Sequence, residues 1–467
     1  MKDTAEDREW AWDEFGASDL GDARRLTRLI DMAAAAVGRP SGLVAEVFAD
    51  GKAREGAYDF LESGRTPTSS IVAGAGRACA RRAAKYPFVY VPVDGTSLTI
   101  TDWELNKDLG AVGTHSQHGR GLQVITSIAV SPTGVPLGVG HLEWWKRQRD
   151  PRKAYNRPPR HRETQKFCDV IQVLAARFKD EAPATRLWFQ LDRGCDARAI
   201  LQELARTNDW FTVRAHVDRR IKDDGVRRRY LREVLRRQKP LGDYFIEVPA
   251  RFHRKPRRAR LRVRAKSVTL RLRNAWAKKI KYLNVNVLLV REAGTTPRGE
   301  APIEWLLLTN YPMRTLRDAH AVVRGYAQRW KIEEFHRAWK TGVCRSEATQ
   351  LRSAATVSKW ATILASVAMR VERLKRLSRS HPEQLASVEL TSTEISALLM
   401  LRKKRSHARV PLPDALTIGE ATLWIAELGG YTGRSSGGPP GATTIKRGLE
   451  YLRPAAEMLG ILERKHG

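Results

Sequence analysis

The spacing of apolar side chains changes character several times along the chain. Through the first 65 or so residues it is helical. In SDLGDARRLTRLIDMAAAAVG, Leu26, Leu29 and Ile30 share one face, Ser18 or Asp19 offers an N-cap, and Gly38 and Pro40 are stop signals. A second helix is expected from about Lys52 to Leu61, with Ala53, Ala57, Phe60 and Leu61 turned inward. RTPTSS then reads as a linker or a new cap. From Phe88 the period becomes that of strands. FVYVPVDGTSLTI is one β-rich stretch, bending near Asp94-Gly95, and QVITSIAVSPTGVPLGVGHLEWW is two strands about a Pro-Thr-Gly turn. ETQKFCDVIQVLAARF (helix), LWFQLD (buried strand), ARAILQELART (helix) and WFTVRAHV (strand) follow. That alternation predicts an α/β domain built on a mixed sheet.

Residues from about 243 to 309 interrupt the alternation with more β structure. Arg258, Arg260, Arg262, Arg264 and Lys266 alternate with Ala259, Leu261, Val263 and Ala265, so period two puts the cations on one face and the apolar residues on the other. IKYLNVNVLLV and EWLLLTN add two strands. Long helices return from Leu316 to about Leu377, and the last ninety residues are mostly helical, with a basic run Arg402 to Arg405 and an SSGGPPG loop. No internal repeat is present.

Charge narrows the function. Eighty-three Lys and Arg against 51 Asp and Glu give a formal charge of +32, a field whose natural partners are nucleic acid or an anionic membrane. No apolar run is long enough to span a bilayer and no N-terminal segment reads as a signal peptide, which disfavours the membrane and points to the cytoplasm. Cys79, Cys168, Cys195 and Cys344 lie far apart without a CxxC pair, so neither a zinc module nor a disulfide framework is expected. At 467 residues the chain has room for two to four domains.

Three carboxylates stand out. Asp94 lies within an apolar strand and Asp192 ends another, places where an acid is costly unless a cation or metal meets it; a salt bridge or a turn cap is the plainer reading of each. In YAQRWKIEEFHRAWK an ideal helix puts Tyr326, Arg329, Glu333 and Lys340 within a stripe about 60° wide, opposite Ile332, Phe335 and Trp339, and turns Glu334 about 100° away from Glu333. By itself that stripe also fits an ordinary solvated face. Two strand-borne Asp and one helix-borne Glu together supply hard oxygen ligands for Mg²⁺, with Mn²⁺ as a substitute, and such sites can hold two ions about 4 Å apart for in-line phosphoryl transfer.

Tyr326-x2-Arg329-x3-Glu333-x6-Lys340 resembles the Tyr-Arg-Glu-Lys signature of the insertion-sequence-4 transposases, and within them the transposon-5 type. LGDARRLTRLIDMAA and GKAREGAYDFL resemble the family's N-terminal domain, VDGTSL and LDRGCDA its two Asp motifs, EWLLLTN its β insertion and TLWIAELGGYTG its C-terminal region, so the likeness runs the length of the chain. It implies a ribonuclease-H-like catalytic domain (67–377) with a β-strand insertion (about 243–309), between an end-binding N-terminal helical domain (1–66) and a dimerising C-terminal helical domain (378–467). It implies Asp94, Asp192 and Glu333 as catalytic metal ligands, two ions per site, with Tyr326, Arg329 and Lys340 on phosphates near the cleaved end. It also implies Trp305 as the residue that receives a flipped base when a DNA hairpin forms; core packing is the plainer reading of that side chain. The first motif departs from the transposon-5 type in having Gly95 and Thr96 where a bulkier polar residue follows the Asp.

The remaining basic residues fit the same partner, double-stranded DNA with inverted-repeat ends and a target duplex. Arg24, Arg25 and Arg28 would read the end and Lys52 and Arg54 its phosphates, unless they are a solvated face. Arg258 to Lys266 would track phosphates, since five like charges on one strand face repel unless an anion neutralises them. Trp144 to Arg149 could clamp DNA or simply end a hairpin. The expected activity is cut-and-paste transposition by a homodimer in a bacterial nucleoid. A catalytically silent end-binding regulator and a nuclease that cuts without joining are the alternatives.

Overall fold

The computed structural model describes residues 5–113, 119–147, 163–222, 229–248, 256–273, 279–405, 415–433 and 438–466. It opens with helices α1 (Ala5–Phe15), α2 (Ala23–Gly38), α3 (Val44–Val47) and α4 (Gly51–Glu62). The N-cap of α2 is Asp22, not Ser18 or Asp19. Gly21, at φ +65°, turns the chain just before it, and the Asp22 carboxylate accepts from Arg24 N. RTPTSS begins a helix that apolar spacing alone did not reveal, α5 (Thr68–Ala83). Its inner face is small: Gly76 lies so close to the Gly140 carbonyl that a Cβ would sit 2.6 Å from it. A helix that packs through glycine and alanine carries little periodic hydrophobic signal.

Ten strands form one mixed sheet: β1 (Phe88–Thr99), β2 (Gly110–Val112), β3 (Gly119–Val130), β4 (Pro136–Trp145), β5 (Arg186–Leu191), β6 (Trp210–Arg214), β7 (Gly242–Val248), β8 (Arg257–Arg273), β9 (Ile280–Glu292) and β10 (Glu304–Thr309). The order is β2-β3-β1-β5-β6-β10-β9-β8-β7, with β4 also on β3. The β1, β5 and β6 strands are parallel, while β3, β4 and β10 pair antiparallel. This is the ribonuclease-H-like arrangement. The insertion forms no sheet of its own; β10 bonds to β6, so it prolongs the central sheet. FVYVPVDGTSLT runs as a single strand through Asp94-Gly95.

Helices cover both faces. Val89, Val91 and Val93 of β1 and Leu187, Phe189 and Leu191 of β5 face a core completed by α6 (Glu163–Glu181), α7 (Arg198–Leu204) and α8 (Leu231–Arg236). Tyr90 and Trp188, on alternate positions, face the other core with α9 (Leu316–Gln328), α10 (Trp330–Arg337) and α11 (Ala354–Ser380). Helix α11 joins the layers: its Lys359 ammonium donates to the Leu61 and Ser63 carbonyls at the end of α4, and Trp360 Nε1 donates to Gly42 O. Helices α12 (Ser392–Arg405), α13 (Ile418–Leu428) and α14 (Ala442–His466) finish the chain. No described helix is long and apolar enough to cross a membrane.

Candidate active site

Strand alternation and register bring the first two carboxylates together. Val93 of β1 pairs with Leu191 of β5, so Asp94 and Asp192 each follow one residue after the same rung of a parallel ladder. Both fall on the alternation of Tyr90 and Trp188, which faces α9 and α10. Asp192 also caps a short turn, accepting from Gly194 N at 2.8 Å. Glu333 enters from the first turn of α10. All three are half-buried.

Arg329 stands between them. Its guanidinium lies 3.6 Å from Asp94 Oδ2 and 2.6 Å from Glu333 Oε1. Burial, then the Asp192 carboxylate, push the Asp94 carboxyl up from 3.8 to about 6, with Arg329 and the Gly95 amide opposing and Glu333 adding to the rise. Such a set of hard oxygen donors with excess negative potential is chemically suited to a divalent cation. Among the described residues no group of three or more His, Cys, Asp or Glu is arranged to hold an ion as it stands. The guanidinium supplies part of the neutralising charge, and an ion bound between Asp94 and Glu333 requires it to move.

The signature does not lie on one ideal helix. The Arg329 amide bonds to Tyr326 O at the break between α9 and α10, and Ala338–Gly342 form a π turn. Lys340 nonetheless faces β1, 3.4 Å from Thr96 Oγ1 and 3.3 Å from Glu347, whose carboxylate also accepts from Thr99 N. Tyr326 stays within electrostatic reach of Arg329 and Asp192. It is buried near the Arg214 guanidinium, and its ring lies 6.3 Å from that of half-buried Trp305 at 59°. Ile332, Phe335 and Trp339 are buried as expected. Glu334 points away to Arg376 and Lys375 on α11, and these cations hold its carboxyl below the ordinary range against the upward push of burial.

The other basic residues lie apart from the carboxylates. Arg24, Arg28 and Lys52 are exposed on α2 and α4, with Arg25 and Arg54 half-buried; Arg25 donates to Leu20 O. The β8 ribbon is four strands from β5, about 19 Å at normal strand spacing. Its cations are partly answered within the sheet: Asp243 of β7 lies 3.0 Å from Arg260 and 2.9 Å from Arg262, and Arg264 donates to Gln238 O. An external anion is therefore not needed to relieve every charge there. Trp144 packs on Trp339 and donates to Thr362, Lys146 pairs with Asp108 and Arg147 with Glu163, so these residues brace the hairpin; Gln148 and Arg149 lie outside the described residues.

Three residues near the site went unmarked in the sequence. Trp330 is 43% exposed beside Arg329, whose guanidinium is 5.9 Å from its ring; an aromatic out of phase with the buried stripe was the available signal. Thr126 and His336 meet beside Asp94, where the β1–β3 register places Thr126 opposite Asp94 and α10 packs on the same face.

The Asp94 shift has a thermodynamic consequence. Its folded pKa lies above the unfolded value, so the folded state binds the extra proton between about pH 4 and 6. Wild-type stability then falls as pH rises through that window and stays lower above it. At pH 7 the charged carboxylate costs roughly 3 kcal/mol. Asp94→Asn is therefore expected to raise the thermal midpoint at pH 7 in EDTA, with the gain shrinking toward pH 4. Melting curves across that range check it, and a pH-independent difference would contradict it.

Comparison with known families returns two matches. Residues 7–66 match the family described as transposase DNA-binding, and residues 172–370 match the transposase DDE domain. The second span contains Asp192 and Glu333; Asp94 precedes it.

Proposed function

We propose that this chain, which carries a transposase DNA-binding domain and a transposase DDE domain, is a cut-and-paste DNA transposase of the insertion-sequence-4 type. The observation that carries this reading is the convergence of Asp94 and Asp192, each one residue past the same rung of a parallel ladder, on the sheet face that α10 covers with Glu333. These three carboxylates would hold Mg²⁺ or Mn²⁺, two ions per site, which when bound would polarise the attacking and leaving oxygens of a phosphodiester.

The protein's own part is positioning. Arg329 and Lys340 carry positive charge to the rim of the carboxylates, where they would clamp the phosphates of the cleaved end, with Tyr326 behind them. Trp305, beside Tyr326, would stack on an extruded base. The N-terminal cations Arg24, Arg25, Arg28, Lys52 and Arg54 would grip the transposon end, and the β8 face from Arg258 to Lys266 would follow phosphates farther along. Four reactions then share one site. Water cleaves the phosphodiester at the transposon end, the freed 3′-OH attacks the opposite strand to form a hairpin, water opens the hairpin, and the 3′-OH attacks target DNA. Each forms one P–O bond and breaks one. The acting species would be a homodimer on two ends within a bacterial nucleoid.

A strand-transfer assay with end-bearing DNA, a target duplex and Mg²⁺ tests the reading. Joined products are expected. Cut DNA without joining would make the chain a nuclease, and shifted bands without cutting would make it an end-binding regulator.

A further inference from the structure

One buried contact at the site has no part in holding phosphate or metal. Thr126 on β3 lies directly opposite Asp94 in the antiparallel register, and its side chain is fully buried. Its hydroxyl donates to the Asp94 carbonyl at 3.2 Å and lies 2.6 Å from His336 Nε2. A threonine hydroxyl has a single proton to give. With that proton on the carbonyl bond, His336 must donate from Nε2–H, which fixes its tautomer. Burial first, then the Lys340 and Arg329 cations, push the imidazole down to about 3, so it remains neutral. His336 follows Glu333 by about one turn on α10. A continuous path of hydrogen bonds thus runs from the helix that carries Glu333, through β3, to the backbone of Asp94.

The Arg329 bridge between the same two residues is a contact that an incoming cation and phosphate would break. The His336–Thr126 contact lies beside Asp94 on the same sheet face and uses neither carboxylate, so that exchange need not disturb it. We propose that His336 and Thr126 are positioning residues, fixing the spacing between Asp94 and Glu333 so that both carboxylates can meet one cation. The inference rests on the metal-site reading above. Its physical basis is that ligand geometry must hold to about half an ångström, and that outer partners of a metal site typically matter 10- to 100-fold in affinity. An ordinary core histidine would instead contribute stability alone.

Thr126→Val keeps the side-chain size and removes both hydrogen bonds, whereas Thr126→Ser keeps the hydroxyl. In complexes with end DNA, bound Mn²⁺ is counted from the loss of the free-ion paramagnetic signal, with the same DNA alone as baseline. Thermal midpoints in EDTA are recorded beside it. Thr126→Val is expected to weaken Mn²⁺ binding roughly 10- to 100-fold and Thr126→Ser by no more than about threefold. Cleavage by the valine variant should recover substantially at saturating Mn²⁺. His336→Leu should behave like the valine variant, and His336→Gln, which can place an N–H near the same point, like wild type; this second pair carries the test if Thr126→Val folds poorly. Wild-type Mn²⁺ affinity in Thr126→Val and His336→Leu, alongside a loss in Glu333→Ala, would overturn the positioning role and leave the metal site standing. A loss equal in the valine and serine variants, tracking the thermal midpoint, would also overturn it. Unchanged Mn²⁺ binding in Glu333→Ala would bring down the metal-site reading and this inference with it.

Discussion

Glu333→Ala is expected to reduce cleavage of end DNA by three orders of magnitude or more while leaving end affinity almost unchanged. A carboxylate that holds a catalytic cation supports several kcal/mol of transition-state charge stabilisation, which converts to roughly 10³-fold or more in rate. End binding should draw instead on cations: the N-terminal surface, the β8 face and the Arg329–Lys340 rim. The neighbouring acid cannot readily substitute, because Glu334 turns to α11 and is engaged by Arg376 and Lys375. Single-turnover cleavage and gel-shift titration, run on the same preparation, check both halves of the expectation. Cleavage within about tenfold of wild type would move the catalytic acid away from Glu333.

The second large effect concerns Arg329. Its guanidinium neutralises Asp94 and Glu333 in the free protein and is the group that a phosphate at the cleaved end would draw away. Metal loading and end binding are then coupled, and such coupling is reciprocal. In wild type, end DNA should tighten Mn²⁺ binding. In Arg329→Gln the DNA-free protein should already bind Mn²⁺ on the order of tenfold tighter, because a positive charge has left a pocket of three carboxylates, and added DNA should tighten it little further. Cleavage should nevertheless fall about 10²-fold or more, since the phosphate clamp is lost. Calorimetric Mn²⁺ titrations with and without end DNA read the coupling directly. Equal Mn²⁺ affinity in wild type and Arg329→Gln would mean that the guanidinium does not guard the site.

Most of the central sheet was legible because its signals are local. Apolar runs with β-branched residues gave the strands, and an acid inside or ending such a run gave Asp94 and Asp192. What escaped depends on contacts between distant segments. Helix α5 packs through Gly74, Gly76 and small side chains, so its burial leaves no stripe of large residues. The helical stripe from Tyr326 to Lys340 assumed one regular helix; the chain instead breaks at Arg329 and makes a π turn at Ala338–Gly342, with Lys340 on β1 and Tyr326 packed beside Trp305. The basic ribbon looked unneutralised in sequence because Asp243 becomes its neighbour only through the β7–β8 register. Thr126 and His336 are 210 positions apart, and only the folded sheet and helix bring them together. The Asp22 cap was displaced from the expected Ser18 or Asp19 by the turn at Gly21.

The central claim is that Asp94, Asp192 and Glu333 hold the catalytic ions. Its most direct test is anomalous scattering from Mn²⁺ soaked into crystals of the protein bound to its own end DNA. Peaks about 2.1 Å from oxygens of all three carboxylates, with Arg329 turned to a phosphate, are the expected result. Peaks held by other side chains, or Arg329 still bridging Asp94 and Glu333 in a complex that cleaves its DNA, would contradict it.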